Sequence, residues 1–149
     1  MWQKKKGTVY CIIGDGECNE GEIWEAFEFA ANKKLNNLII IVDNNKRQVD
    51  GYTADVSCDL NFEKIANLFG FRYAHVDGND IEQLDNVFSK MMTYSEQTVF
   101  LVMDTVKGSG VPEIENTDLC HHIRVDNEMR QILEKNMEKW KREIADEQR

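Results

Sequence analysis

Thr8-Val9-Tyr10-Cys11-Ile12-Ile13-Gly14-Asp15-Gly16-Glu17 decides how the rest of the chain is read. Residues 8–13 are an apolar run of strand length, stopped by two glycines that flank an acid. Residues 20–34 follow with Ile23, Phe27, Ala30 and Ala31 at helical spacing, Asn19 as the expected N-cap and Glu22 three residues on. Leu38-Ile39-Ile40-Ile41-Val42 is a continuous apolar run, as in strands covered on both faces. It ends at Asp43-Asn44-Asn45. If the two strands are parallel neighbours, Asp15 and Asn45 fall at the carboxyl edge of one sheet, where open α/β folds bind ligands. Gly14 and Gly16 let the backbone approach such a ligand closely, and the following helix terminus supplies positive potential. Asp15 adds a hard carboxylate and Asn45 a neutral amide oxygen. Together they describe a site for a divalent cation carrying a diphosphate.

The pattern continues along the chain. Residues 47–60 are polar with little periodicity and read as a loop. Residues 61–69 form a short helix with Phe62, Ile65, Ala66 and Phe69 inward, stopped by Gly70. Residues 71–76 are a strand, Asp80 caps a helix reaching to about Tyr94, and residues 98–103 are another strand. This alternation predicts βαβ units: an α/β fold, a parallel sheet with helices on both faces. A long loop over 107–124 follows, and long loops in compact domains are often functional. Asp126 then caps a last helix with Met129, Ile132, Leu133, Met137, Trp140 and Ile144 on one stripe, its charged end from Lys141 expected to fray. That helix reads either as a solvated face with an apolar stripe or as a surface that packs on a partner chain.

The 149 residues are expected to form a single domain with its own core. A net charge of −9 argues against nucleic acid or anionic membrane as a partner. It also sets a problem for an anionic diphosphate, which a divalent cation and backbone N–H groups would solve locally; this is a reason to expect magnesium. Lys4, Lys5 and Lys6 precede an apolar run too short for a signal sequence or a membrane span, so the cytoplasm is the expected compartment. Cys11, Cys18, Cys58 and Cys120 show no C-x-x-C spacing, and Cys11, within a strand, is expected to be a small buried apolar residue. Cys120-His121-His122 lacks zinc-ligand spacing. A nicotinamide-binding fingerprint fails too, because Gly14-Asp15-Gly16 continues with Cys18, Asn19 and Glu20 and has no third glycine.

The spacing of Gly14-Asp15-Gly16 and Asn44-Asn45 resembles the thiamin diphosphate motif, Gly-Asp-Gly followed about 30 residues later by Asn-Asn, and this chain resembles the transketolase family in particular. The likeness rests on Gly14-Asp15-Gly16-Glu17, Asn19-Glu20-Gly21, Leu35-Asn36-Asn37-Leu38, Asp43-Asn44-Asn45-Lys46 and Val49-Asp50-Gly51. It continues through Val76-Asp77-Gly78-Asn79-Asp80, Thr105-Val106-Lys107-Gly108-Ser109-Gly110-Val111 and Glu115-Asn116-Thr117 to His121-His122, covering about residues 7–137. Such a resemblance implies the PP-type thiamin diphosphate-binding fold, here expected to be partial and incomplete at the N-terminus. It also implies Mg²⁺ held by Asp15, the side chain of Asn45 and the backbone carbonyl of Arg47. Gly14, Gly16 and Glu17 would meet the phosphates, Val49 would pack against a cofactor ring, and Lys107 would lie beside it. His121 would donate to the diphosphate or to substrate, although Ile123-Arg124-Val125 replaces the family's usual continuation. Glu20 would help orient a cofactor-activating glutamate across a subunit interface.

The implied reaction is transfer of a two-carbon ketol unit between sugar phosphates. The activating glutamate belongs to a second domain in this family, so a partner chain or C-terminal transketolase subunit is expected, in a dimer or heterotetramer. Simpler readings stand beside these: Asp15 as a helix cap, Asn44-Asn45 as a turn, Glu20 and Glu22 as N-terminal helix acids, Val49 as loop packing, Lys107 in a surface turn. His75 reads as structural or surface. Two other readings compete with transketolase. One is a component of another thiamin diphosphate enzyme, a 2-oxo acid dehydrogenase or deoxyxylulose phosphate synthase, which Asn19-Glu20-Gly21 and Val49-Asp50-Gly51 disfavour. The other is a non-catalytic remnant or assembly partner.

Overall fold

The structure, a computed structural model, describes residues 7–91, 93, 96–115, 117 and 120–147. Lys4 to Lys6, Tyr94 and Asn116, named above, lie outside them. The chain divides into two compact units, residues 1–105 and 106–149.

The first unit alternates strand and helix. In chain order its elements are β1 (Val9–Gly14), α1 (Gly21–Lys33), β2 (Leu38–Asn44), β3 (Arg47–Gln48), β4 (Gly51–Tyr52), α2 (Thr53–Val56), α3 (Phe62–Phe69), β5 (Arg72–Asp77), α4 (Ile81–Met91) and β6 (Val99–Asp104). Four strands make one parallel sheet in the order β1-β2-β6-β5. Its register aligns the carboxyl ends: Gly14 faces Asp43, while Asn44 and Asp77 both face Asp104. The loops that leave β1, β2 and β6 therefore start from one edge.

Two apolar layers cover the sheet. On one face α1 and α3 contribute Phe27, Ala30, Phe62, Ile65 and Ala66 to a core shared with Ile13, Ile40, Val42, Phe100 and Val102. Phe27 meets Phe69, Phe71 and Phe100 edge-on, with ring centroids 5.5–6.1 Å apart, a favoured aromatic geometry. On the other face α4 brings Val87, Phe88 and Met91 against Ile39, Ile41, Val99 and Leu101. Helices thus lie on both faces, as the continuous apolar runs require. Asn61 caps α3, its side chain accepting from the Lys64 N–H at 2.9 Å, and Gly70 closes the helix in the left-handed region.

Four details differ from expectation. Cys11 is exposed rather than buried, because β1 is an edge strand and Val9, Tyr10 and Ile12 beside it are also exposed. Asn19 does not cap α1: it ends a 3₁₀ turn, Glu17–Asn19, and the N-cap is Glu20, whose extended backbone separates that turn from the helix. The Glu20 N–H bonds back to the Glu17 carbonyl and the Trp24 indole N–H to that of Cys18, so groups other than a capping box close the junction. Residues 47–60 hold structure of their own, a β3–β4 hairpin and α2, built from backbone pairing that polarity does not reveal. Finally, α4 ends at Met91.

The second unit contains turns over 107–110 and 112–115, and α5 (Asn127–Glu147). The Asp126 side chain accepts from the Met129 N–H at 2.8 Å, the cap its position suggests. The helix runs on past Lys141, carrying ion pairs Lys139–Glu143 and Arg142–Glu138 of the i,i+4 type. Met129, Ile132 and Leu133 are half-buried, while Met137, Trp140 and Ile144 are exposed.

Candidate cofactor and metal site

Asp15 is the first residue past β1. Its N–H continues the ladder to the Asp43 carbonyl at 3.1 Å, so its backbone is tied to the end of β2. The side chain is buried, at 3% exposure. One oxygen, Oδ2, accepts from the Thr53 hydroxyl at 2.6 Å; the other, Oδ1, is buried and has no hydrogen-bond partner. Burial pushes the Asp15 carboxyl above the ordinary carboxylate range, against the Thr53 hydroxyl, the N–H groups of Asp15 and Gly16, and the Lys46 charge, which pull it down. A buried acceptor without a donor is costly.

Asn45 follows β2 at the same edge and is buried. Its Nδ2 donates to Asp43 Oδ2 and its Oδ1 accepts from the Arg47 N–H, both at 3.0 Å. The Thr105 hydroxyl donates to the other Asp43 oxygen. Lys46 takes a left-handed backbone (φ 61°) and turns the chain into β3. Arg47, also buried, pairs with Tyr52 across the hairpin, its guanidinium 3.5 Å from the ring centroid. Val49 sits at the hairpin tip, 73% exposed.

Gly16 is needed for close approach: a Cβ there would come within 2.9 Å of the Gln48 side chain. Gly14, by contrast, has room for one, and its N–H donates to Glu17 Oε2 at 3.0 Å. Glu17 and Glu20 are exposed. Further along the same edge, Asn44 Nδ2 donates to Asp104 Oδ1 at 2.5 Å, and His75 Nε2 lies 2.8 Å from Asp104 Oδ2. His75 is thus an edge residue with an acidic partner. Lys107, half-buried, and His121, exposed, belong to turns of the second unit.

Hydrogen bonds through Thr53 and Asp43 therefore join Asp15, Asn45 and Arg47 in one set, and Gly16 packs closely against Gln48. Sequence reasoning gave Thr53, Asp43 and Gln48 no role, although Asp43 lies in a motif quoted above. Thr53 lies in a stretch without periodicity, and no motif considered above includes it.

Among the described residues no group of three or more His, Cys, Asp and Glu side chains is placed to hold a metal alone. The donor set here is different: one carboxylate, one amide oxygen and backbone carbonyls, hard oxygens of the kind that leave positions open for phosphate and water. The unpartnered Asp15 Oδ1 and the spare lone pair of Asn45 Oδ1 fit a hard divalent cation. No described helix is long and apolar enough to cross a membrane.

Comparison with known proteins identifies the family. Residues 3–144 match the family model "Transketolase, thiamine diphosphate binding domain". A 6-deoxy-6-sulfo-D-fructose transketolase subunit from Clostridium sp. (strain MSTE9) is 32% identical over 93% of this chain and 47% of its own length. One of the subunits of an apulose-4-phosphate transketolase, from Actinobacillus succinogenes, is 38% identical over 80% of this chain and 44% of its own. Among solved structures, transketolase from Campylobacter jejuni superposes with a TM-score of 0.70 at 25% identity, covering 78% of this chain and 18% of that one. The chain spans less than half the length of these relatives. With a family match across both units and the parallel sheet that presents the Asp15 and Asn45 turns at one edge, this chain belongs to the transketolase thiamine diphosphate-binding domain family.

Proposed function

We propose that the chain holds Mg²⁺ and thiamin diphosphate as the diphosphate-binding part of a transketolase-type enzyme that transfers a two-carbon ketol unit between sugar phosphates. The observation that carries this is the buried Asp15 Oδ1, left without a partner beside the Asn45 turn. Asp15, Asn45 Oδ1 and the Arg47 carbonyl would hold the cation, which brings an anionic diphosphate to a chain of net charge −9. Gly14, Gly16 and Glu17 would line the phosphates, the exposed Val49 would offer apolar surface to a ring, and Lys107 a positive charge. His121 would donate to the diphosphate or substrate, and Glu20 would face a subunit interface.

The cofactor, when bound, supplies the carbon nucleophile and electron sink for carbon–carbon cleavage. A second chain or domain supplies the activating glutamate, in a dimer or heterotetramer; two relatives described as transketolase subunits support this. The two units are read as one cofactor-binding domain, supported by a family match that runs through both. The cytoplasm is the proposed compartment.

The test is calorimetric titration with thiamin diphosphate and Mg²⁺, with and without a C-terminal transketolase subunit. The expected result is weak binding and no turnover by the chain alone, with tight binding and ketol transfer in the mixture. Turnover by the purified chain alone would refute the need for a partner, and absence of saturable binding in both arrangements would remove the cofactor assignment.

A further inference from the structure

We propose that Asp43 is a positioning residue: its carboxylate orients the Asn45 amide so that the amide oxygen, and not the NH₂, faces the cation. This rests on the cation site proposed above. Asp43 is half-buried near the end of β2 and holds both side chains assigned to the cation. Its carbonyl accepts from the Asp15 N–H at 3.1 Å, and its Oδ2 accepts from Asn45 Nδ2 at 3.0 Å. Its Oδ1 accepts from the Thr105 hydroxyl, so the carboxylate is braced by the residue that follows β6.

A primary amide carries its acceptor and its donor on two atoms of similar size, so hydrogen bonds rather than packing decide which way it faces. Asn45 is 8% exposed, and two neighbours select the same orientation. Asp43 Oδ2 accepts from its NH₂, and the Arg47 N–H donates to its oxygen. Turned over, the amide would set oxygen against the Asp43 carboxylate and NH₂ against the Arg47 N–H. The bond to Asp43 is charge-assisted and is the stronger of the two. Without it Nδ2 is a buried donor with no acceptor, and the side chain turns to find one, taking Oδ1 away from the cation. Asp43 thus works through Asn45 and need not touch the ion.

The experiment uses Mn²⁺, a hard divalent ion suited to the same oxygen donors. Its affinity is read by electron paramagnetic resonance at saturating thiamin diphosphate, on whichever form binds in the titration above. Asp43→Leu, close in shape but without an acceptor, is expected to weaken Mn²⁺ about tenfold, the scale of one hydrogen bond to a charged group. Asp43→Asn removes the charge but keeps an oxygen for Asn45 Nδ2, while its own NH₂ meets the Thr105 hydroxyl, which can accept; it should stay within about threefold of wild type. In an Asn45→Ala background, Asp43→Leu should weaken Mn²⁺ by no more than about twofold, because the amide it orients is gone. A full loss in that background, or in Asp43→Asn alone, would mean that Asp43 acts by its charge or by shaping the fold, and overturns the proposal. Unchanged affinity in Asp43→Leu overturns it too. If Asp43→Leu does not fold, Asp43→Ala carries the same reading; if neither folds while Asp43→Asn does, Asp43 is a folding residue and the proposal is overturned. Failure of the underlying cation site has a different signature: Asp15→Asn and Asn45→Ala would both bind Mn²⁺ as wild type does.

Discussion

β1 and β2 are parallel neighbours in continuous register, and both are apolar in sequence, yet they sit in different environments. Ile39, Ile40, Ile41 and Val42 of β2 are at most 4% exposed, whereas Val9, Tyr10 and Ile12 of β1 are 49–68% exposed. The composition of the two strands does not separate them; their neighbours do. β2 lies between β1 and β6, while among the described residues β1 has a paired strand on one side only. Within β1 the contrast recurs at its tip, where Ile13 is 6% and the adjoining Asp15 3% exposed. Burial here follows position in the sheet, and the turn that carries Asp15 begins where burial begins.

The largest test of that contrast is truncation. Phe100 on β6 is fully buried and meets Phe27, Phe62 and Phe71, so Phe100→Ala should cost about 3–5 kcal/mol by chemical denaturation. Ile12→Ala on β1 should cost less than about 1 kcal/mol, since most of that side chain is already in water. Similar losses at both positions would show that the edge strand is covered in solution.

A smaller effect concerns the buried tip. The Asp15 pKa is raised by burial, so the native state holds the proton more tightly than the unfolded chain does. The ionised carboxylate therefore destabilises the metal-free fold at neutral pH, and this penalty is relieved as pH falls through the raised native pKa toward the unfolded value. Asp15→Asn should accordingly raise the melting temperature in EDTA at pH 7, with the gain shrinking on acidification. A gain that persists unchanged into acid would rule this out.

The mildest probe leaves stability alone. Cys11 and Cys18 straddle the tip of β1; one is exposed, while the other is 1% exposed with its thiol pushed up to about 12, chiefly by burial and then by the Asp15 and Glu17 charges. A maleimide at pH 8 should label Cys11 rapidly in the native protein and leave Cys18 unmodified until the chain unfolds. Equal labelling rates would place the boundary of the core elsewhere.

Much of the fold was legible in the sequence because the signals were local. The spacing of Phe62, Ile65, Ala66 and Phe69 announced α3, Gly70 its end, and the unbroken run before Asp43 a strand buried on both faces. The turns carrying Asp15 and Asn45 could be placed on one edge because parallel neighbours end together. What could not be read depends on partners far along the chain. The exposure of Cys11 follows from sheet order. The hairpin of β3 and β4 is set by backbone pairing in a polar stretch. The bonds of Asp15 to Thr53, and of Asp43 to Thr105, span long sequence separations and leave no periodicity behind. The 3₁₀ turn before α1 hid from a capping-box reading because Asn19 and Glu22 satisfy the pattern without making its hydrogen bonds.

The contact between Gly16 and Gln48 has a consequence for how this loop can vary. The root of the hairpin is locked against the glycine turn with no space for a methyl group, while Val49 and Asp50 at its apex face solvent. Changes at the root must be matched by compensating changes in the opposing turn, whereas packing within the fold sets no such demand on the apex. Diversity in what the loop meets can therefore accumulate at its outermost two positions without loosening the grip at its base.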